Sequence, residues 1–200
     1  MSLLLQYGDS KREAGIDEAG RGCLAGAVVA AAVILPSDFH SKVLNDSKQL
    51  SHKKRNELKT DILENALAWK VAFIDAPTID KVNILQATYQ AMHKAVAGLE
   101  IVPEFLVIDG NRFLPYPTIP HICIVKGDGK YMNIAAASIL AKTFRDEYME
   151  QLHAEFPMYD WAKNKGYPTE AHKTALEKHG LTPYHRKTFR WQKPLTLFDM

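Results

Sequence analysis

Four carboxylates stand where they could do chemistry together. Asp17 and Glu18 close a short apolar stretch, Asp109 closes Phe105 to Ile108, and Asp128 follows Ile122 to Val125 inside Lys126-Gly127-Asp128-Gly129. If those stretches are strands lying side by side with like ends together, four negative charges meet at one sheet edge. Their repulsion is costly unless cations lie between them. No His or Cys stands nearby at metal spacing, so the donors are oxygens, and magnesium or manganese is indicated over zinc. Two such ions about 3.5 to 4 Å apart suit in-line displacement at a phosphodiester, one activating water and the other stabilising the leaving oxygen. Neighbours on a regular strand face opposite ways, so the strand is expected to twist or terminate at Asp17-Glu18, which the glycines of Gly20-Arg21-Gly22 permit. Taken singly, Asp109-Gly110 and Asp128-Gly129 read first as turn chemistry. Asp46 and Asp146 read as caps or salt-bridge partners.

The elements that must position these acids follow from periodicity. Glu13 to Asp17 and Ala25 to Leu35 read as strands around the Gly-Arg-Gly turn, the second ended by Pro36. The near-continuous apolarity of the second run implies burial on both faces, hence flanking helices. Ser51 is placed to cap a helix to about Ala66. Trp69 to Ile74 alternates like a strand. Residues 79 to 99 form an amphipathic helix capped by Asp80 or Asn83. Phe105 to Ile108 and Ile122 to Val125 are further strands, Ile134 to Leu152 is a long helix closed by Pro157, and Thr169 caps a last helix ending at Gly180. Strands and helices interleave without repeat or linker, which gives one mixed α/β body. Residues 1–155 are expected to form its core, and 156–200 a helical, basic C-terminal extension of the same domain.

With 46% hydrophobic and 24% charged residues among 200, the chain can fold and bury a core, which excludes disordered and coiled-coil classes. Its longest nearly uncharged apolar run, Cys23 to Leu35, is 13 residues, short of the roughly 20 of a membrane span. The leucines near the start meet Asp9, Lys11 and Arg12 before any cleavage pattern, so a cytoplasmic location is expected. Cys23 and Cys123 form no disulfide framework and are expected as reduced thiols. The net charge of +2 hides an asymmetry: residues 162–193 hold eight Lys or Arg against Glu170 and Glu177, leaving an acidic remainder. A solvated basic face would explain it, and so would a polyanionic partner.

The blocks GIDEAGRGCLAGAVVAAAVI, NDSKQLS, LVIDGNR, VKGD, IAAASILAKTFRDE and NKGYPTEAH, running in order from Gly15 to His172, resemble bacterial ribonuclease HII. The resemblance implies a ribonuclease H-like mixed five-stranded sheet flanked by helices. It also implies an endonuclease that cuts the RNA strand of RNA-DNA hybrids and incises 5′ to single ribonucleotides in duplex DNA, leaving 3′-hydroxyl and 5′-phosphate ends. Asp17, Glu18, Asp109 and Asp128 match the family's four acids, which hold Mn2+ or Mg2+. The sister family, ribonuclease HIII, normally carries an extra N-terminal domain, for which the dozen residues before the first strand leave no room.

Choosing ribose over deoxyribose requires reading the 2′-hydroxyl. Gly20 and Gly22 let backbone groups approach a sugar, Arg21 can anchor a phosphate, and the resemblance adds Tyr167 as the ring that meets the ribonucleotide. Without it, Tyr167 reads as a core tyrosine between helices. Lys48 and Lys142 are expected phosphate contacts. Ser138 serves packing or function equally, and His172 either touches substrate, moves a proton or is structural. Lys163, Lys165, Arg186, Lys187 and Arg190 are expected along the duplex path. Leu195 to Phe198, within the tail LTLF, resembles the hydrophobic peptides that dock on a DNA sliding clamp; packing on the parent domain is the competing expectation. Nothing demands more than a monomer. Two other functions fit the same residues: a related two-metal nuclease on another nucleic acid, and a non-catalytic hybrid-binding module.

Overall fold

The computed structural model describes residues 3–10, 12–41, 44 and 50–191. Its centre is a five-stranded sheet of β1 (Glu13–Ala19), β2 (Val28–Ile34), β3 (Ala68–Ile74), β4 (Phe105–Asp109) and β5 (His121–Ile124), in the spatial order β3-β2-β1-β4-β5. β3, β2 and β1 pair antiparallel, whereas β1, β4 and β5 run parallel, so the C-terminal ends of these three strands lie together. That arrangement meets the expectation that acids from separate strands share one edge.

All seven residues of β2 are buried, and its alternation divides them between two layers. Val28, Ala30, Ala32 and Ile34 pack with Ala87, Ala91, Met92 and Val96 of α3 (Ile84–Ala97). Ala31 and Val33 pack with Ala135, Ala136, Ile139 and Leu140 of α4 (Met132–Glu155) and with Leu58 and Ile62 of α1 (His52–Asn65). The start of α4 lies directly on β1, because a Cβ at Gly15 would collide with the Asn133 backbone. Ser51 caps α1 as expected, its hydroxyl accepting the Lys54 amide at 3.3 Å.

Two boundaries differ informatively. The helix expected over 79–99 is two helices, α2 (Ala76–Val82) and α3, broken at Asn83 with φ +66°. Asn83 caps α3 through the amides of Leu85 and Gln86, at 3.0 and 3.1 Å, while Asp75 caps α2. Asp80 is thereby free to accept the amides of Lys187 and Thr188, at 2.9 and 3.0 Å, and so pins the C-terminal segment to the core. α4 is longer than expected at both ends; residues 132–141 are buried on every side, which blurs amphipathic periodicity.

After Pro157 come α5 (Trp161–Asn164) and α6 (Glu170–His179), the latter capped by Thr169. The chain then returns to the Gly-rich turn region: Ala25 bridges His185, the Gly26 amide donates to the Tyr184 carbonyl at 2.9 Å, and the Arg186 amide to the Leu24 carbonyl at 2.8 Å. Among the described residues no helix is long and apolar enough to cross a membrane.

Candidate metal centre and nucleic-acid interface

Parallel pairing of Ile16 with Ile108 sets Asp17 beside Asp109, the residue that ends β4. Asp128 arrives from a one-turn 3-10 helix, Gly127–Gly129, entered through Lys126 at φ +56°. The Gly127 amide donates to Asp109 Oδ1 at 2.7 Å, which draws the turn against β4. One oxygen each of Asp17, Asp109 and Asp128 then lies within 4.8 Å of the others. At Asp128 the Asp-Gly turn is itself what brings the carboxylate beside the other two, so turn chemistry and a place in the group are not alternatives.

Asp17 is 4% exposed. Burial, with the charges of Glu18 and Asp109 next, pushes its carboxyl well above the usual carboxylate range; bonds from Ser138 and the Glu18 amide offset only part of this. Three oxygen donors this close, without His or Cys, fit a hard divalent cation, whose charge would remove the repulsion.

The strand does not terminate at Asp17-Glu18. β1 continues through Ala19, with Asp17 paired to Ala31 and Glu18 to Ala30. The two acids therefore leave opposite faces, and Glu18 is outside the three-aspartate group. The ladder from β1 to β4 ends at Ile16, so beyond it that edge is released and Glu18 lines the same cleft as Asp109. Its Oε1 meets Arg21 Nη1 at 3.1 Å.

Glu18 and Arg21 stand where two clefts meet. The first, about 410 Å³, lies against α3 and includes Asp109, Thr88, Tyr89, Asn111 and Arg112. The second, about 230 Å³, includes Gly20, Gly22, Ser138, Lys142 and Tyr167. Tyr167 is 43% exposed at this cleft, which rules out the core-tyrosine reading, and burial of its remainder, with Cys23 alongside, raises its phenol. Lys142 Nζ reaches Asp146 Oδ1 at 2.6 Å, so Asp146 is an ion-pair partner as expected. Ser138 is buried and hydrogen-bonds Asp17.

One expectation is corrected. Arg186 does not line a duplex path: it is 2% exposed, and its guanidinium donates to the carbonyls of Gly20 at 2.7 Å, Arg21 at 2.9 Å and Gly26 at 2.9 Å. Burial lowers its pKa to about 10. Of the readings open for His172 the structural one fits: it is fully buried, and its Nδ1 holds the Tyr167 carbonyl at 2.9 Å. Lys163, Lys187 and Arg190 are exposed, whereas Lys165 is half-buried with Nζ on Glu150 at 2.6 Å. Cys23 and Cys123 are free thiols. Lys48, Asp46 and Leu195 to Phe198 lie outside the described residues.

Sequence reasoning missed Arg145. It is buried in α4, donates to the carbonyls of Ala25, Ala27 and Lys165, and occupies the space that a side chain at Gly20 would need. Its place two turns after Ser138 on one helix face was the available signal. Tyr89, Asn111 and Arg112 also line the first cleft; Asn111 and Arg112 follow Asp109 within LVIDGNR, which was the available signal, whereas nothing in its spacing ties Tyr89 to the acids.

A family model for ribonuclease HII matches residues 14–192. The chain is 62% identical over 188 residues to ribonuclease HII of Parabacteroides distasonis, covering 94% of each. Its fold resembles the ribonuclease HII from Archaeoglobus fulgidus solved as a PCNA:RNase HII complex, with TM-score 0.75 and 25% identity over 94% of this chain and all of that one. It also resembles Bst-RNase HIII solved with Mn2+, with TM-score 0.69 and 20% identity over 90% of this chain and 67% of that one. The aspartates meeting at the parallel strand ends and the Gly-Arg-Gly turn both fall within the matched span, so the chain belongs to the ribonuclease HII family and is a ribonuclease H, an endonuclease for RNA-DNA hybrids.

Proposed function

We propose that this enzyme incises 5′ to ribonucleotides in hybrids and to single ribonucleotides embedded in duplex DNA, through a two-metal reaction leaving 3′-hydroxyl and 5′-phosphate ends. The observation that carries the reading is adjacency: the three-aspartate group and the Gly-Arg-Gly/Tyr167 cleft are joined through Glu18. Asp17, Asp109 and Asp128 would hold divalent cations, with Glu18 completing the ligand set across the strand edge. Bound there, Mg2+ or Mn2+ supplies charge for the attacking water and the leaving oxygen. The relative solved with Mn2+ supports manganese as a competent ion.

The chain's own residues orient the strand. The turn lies open beside the ribose at Gly22, where a Cβ would meet nothing within 4 Å, while Gly20 packs on Arg145 behind it. Arg186 consumes the Gly20 and Arg21 carbonyls, which leaves the turn's amides and the Tyr167 hydroxyl to read the 2′-group. Arg21 and Lys142 neutralise phosphates on either side, and Lys48 adds a third. Residues 156–191 continue the catalytic body, with Lys163, Lys187 and Arg190 facing the duplex. The protein acts as a cytoplasmic monomer. Leu195 to Phe198 is the segment assigned to a sliding-clamp contact, supported by the PCNA-bound relative.

The test is an incision assay on duplex DNA with one ribonucleotide, with and without Mn2+ or Mg2+, mapping the cut. A metal-dependent nick immediately 5′ to the ribonucleotide is expected. Cleavage elsewhere, or cleavage equally fast on all-DNA duplex, contradicts the assignment.

A further inference from the structure

Beneath the Tyr167 cleft lies a closed chain of buried groups that no step above uses. His172 and His185 are 0% and 1% exposed, with Nε2 atoms 3.1 Å apart. Their surroundings fix both tautomers. The Thr182 amide donates to His185 Nδ1 at 2.9 Å, so that nitrogen carries no proton and His185 donates from Nε2. His172 Nε2 accepts that bond and a second from Trp161 Nε1, at 3.1 Å. His172 must then be protonated at Nδ1, which donates to the Tyr167 carbonyl at 2.9 Å.

The chain joins the two halves of the cleft. At one end, His185 sits between Tyr184, whose carbonyl holds the Gly26 amide, and Arg186, whose guanidinium holds the Gly20 and Arg21 carbonyls. At the other end, Tyr167 follows Lys165 and Gly166, both in the left-handed region at φ +50° and +82°. Glycine adopts this region freely, whereas Lys165 keeps it only where surrounding bonds over-determine the backbone.

We infer that His172 and His185 are a positioning pair that sets the separation of the Gly-Arg-Gly turn and Tyr167, and thereby selectivity for an isolated ribonucleotide. This rests on the function proposed for that cleft. Each ring acts through the backbone it holds; neither contacts substrate. His172→Gln keeps an amide near the Nε2 position and loses the bond to the Tyr167 carbonyl. Trp161→Phe removes one donor to His172, leaves the His172–Tyr167 bond in place at the cost of a smaller buried ring, and serves if the first variant folds poorly.

Two readouts test the inference. In amide hydrogen exchange on the whole protein, residues 164–169 should exchange about tenfold faster in the variant, with the sheet unchanged; equal exchange overturns the positioning role. In steady-state incision at one embedded ribonucleotide, KM should rise about tenfold with kcat within threefold, and the same substitution should add nothing in a Tyr167→Ala background. An equal loss in both backgrounds shows that His172 does not act through Tyr167 and overturns the inference. Should Tyr167→Ala itself leave selectivity intact, the reading of the cleft falls, while the exchange experiment still decides whether the pair positions the loop.

Discussion

The two ends of the site are built on opposite electrostatic terms. At the carboxylate end, Asp17, Asp109 and Asp128 are crowded together, and Asp17 is held above its usual pKa by burial and by its acidic neighbours. At the recognition end, Arg145, Arg186, His172 and His185 are just as buried, yet each described donor meets a carbonyl or ring nitrogen. One region is left with its repulsion unrelieved by the protein; in the other each buried donor has its acceptor. Under the proposed function, chemistry would depend on a borrowed charge, and selectivity on preorganised backbone.

Variants at each end should respond oppositely. Asp17→Asn should lower kcat at least about 1,000-fold, on the order of 4 kcal/mol of transition-state stabilisation, with hybrid binding retained. Its melting temperature in chelator should rise, because the raised native pKa means that the ionised carboxylate opposes folding at neutral pH. Activity within tenfold of the parent would remove Asp17 from the centre. Arg186→Ala should instead lower stability by about 3 to 5 kcal/mol in urea denaturation, since it strands three carbonyls that have no other described partner for that guanidinium's bonds. A loss below about 1 kcal/mol would show that the turn holds itself.

Smaller effects sharpen the contrast. Tyr167→Ala should slow incision at a single ribonucleotide about tenfold or more while changing long-hybrid cleavage less; equal losses on both substrates would place Tyr167 in general binding. Acid should loosen the recognition end. His185 has its pKa lowered from 6.5 to about 4, burial first and the neighbouring His172 next. The unfolded chain therefore takes up this proton first, so the stabilisation is complete above about pH 6.5 and is lost as pH falls toward 4. A His185→Gln variant should show a flatter stability profile across that window, measured by denaturation midpoints; an unchanged slope would locate the titration elsewhere.

Much of this was legible in the chain. Glu13, the apolar run to Leu35, the Ser51 cap and the acids ending apolar segments report local preferences, and here the tertiary structure obeys them. The break at Asn83 was hidden because an amphipathic pattern survives a one-residue interruption. Glu18's route to the cleft depends on where the ladder between β1 and β4 ends, a pairing no local window contains. Arg186 was misread, and His172 was left open, for a shared reason: charge and ring type announce chemistry, whereas burial is set by distant packing, here the return of residues 182–191 onto Leu24 and Gly26. The clearest sequence signal thus marked the unbalanced end, and the balanced end became visible only in three dimensions.

The most direct test of the central claim is Mn2+ titration followed by electron paramagnetic resonance, comparing the parent chain with Asp17→Asn, Asp109→Asn and Asp128→Asn. If these three side chains share cations, each substitution should weaken the tightest Mn2+ site about tenfold or more, and the parent's affinity should fall as pH drops. Unchanged Mn2+ affinity in all three variants would contradict the account.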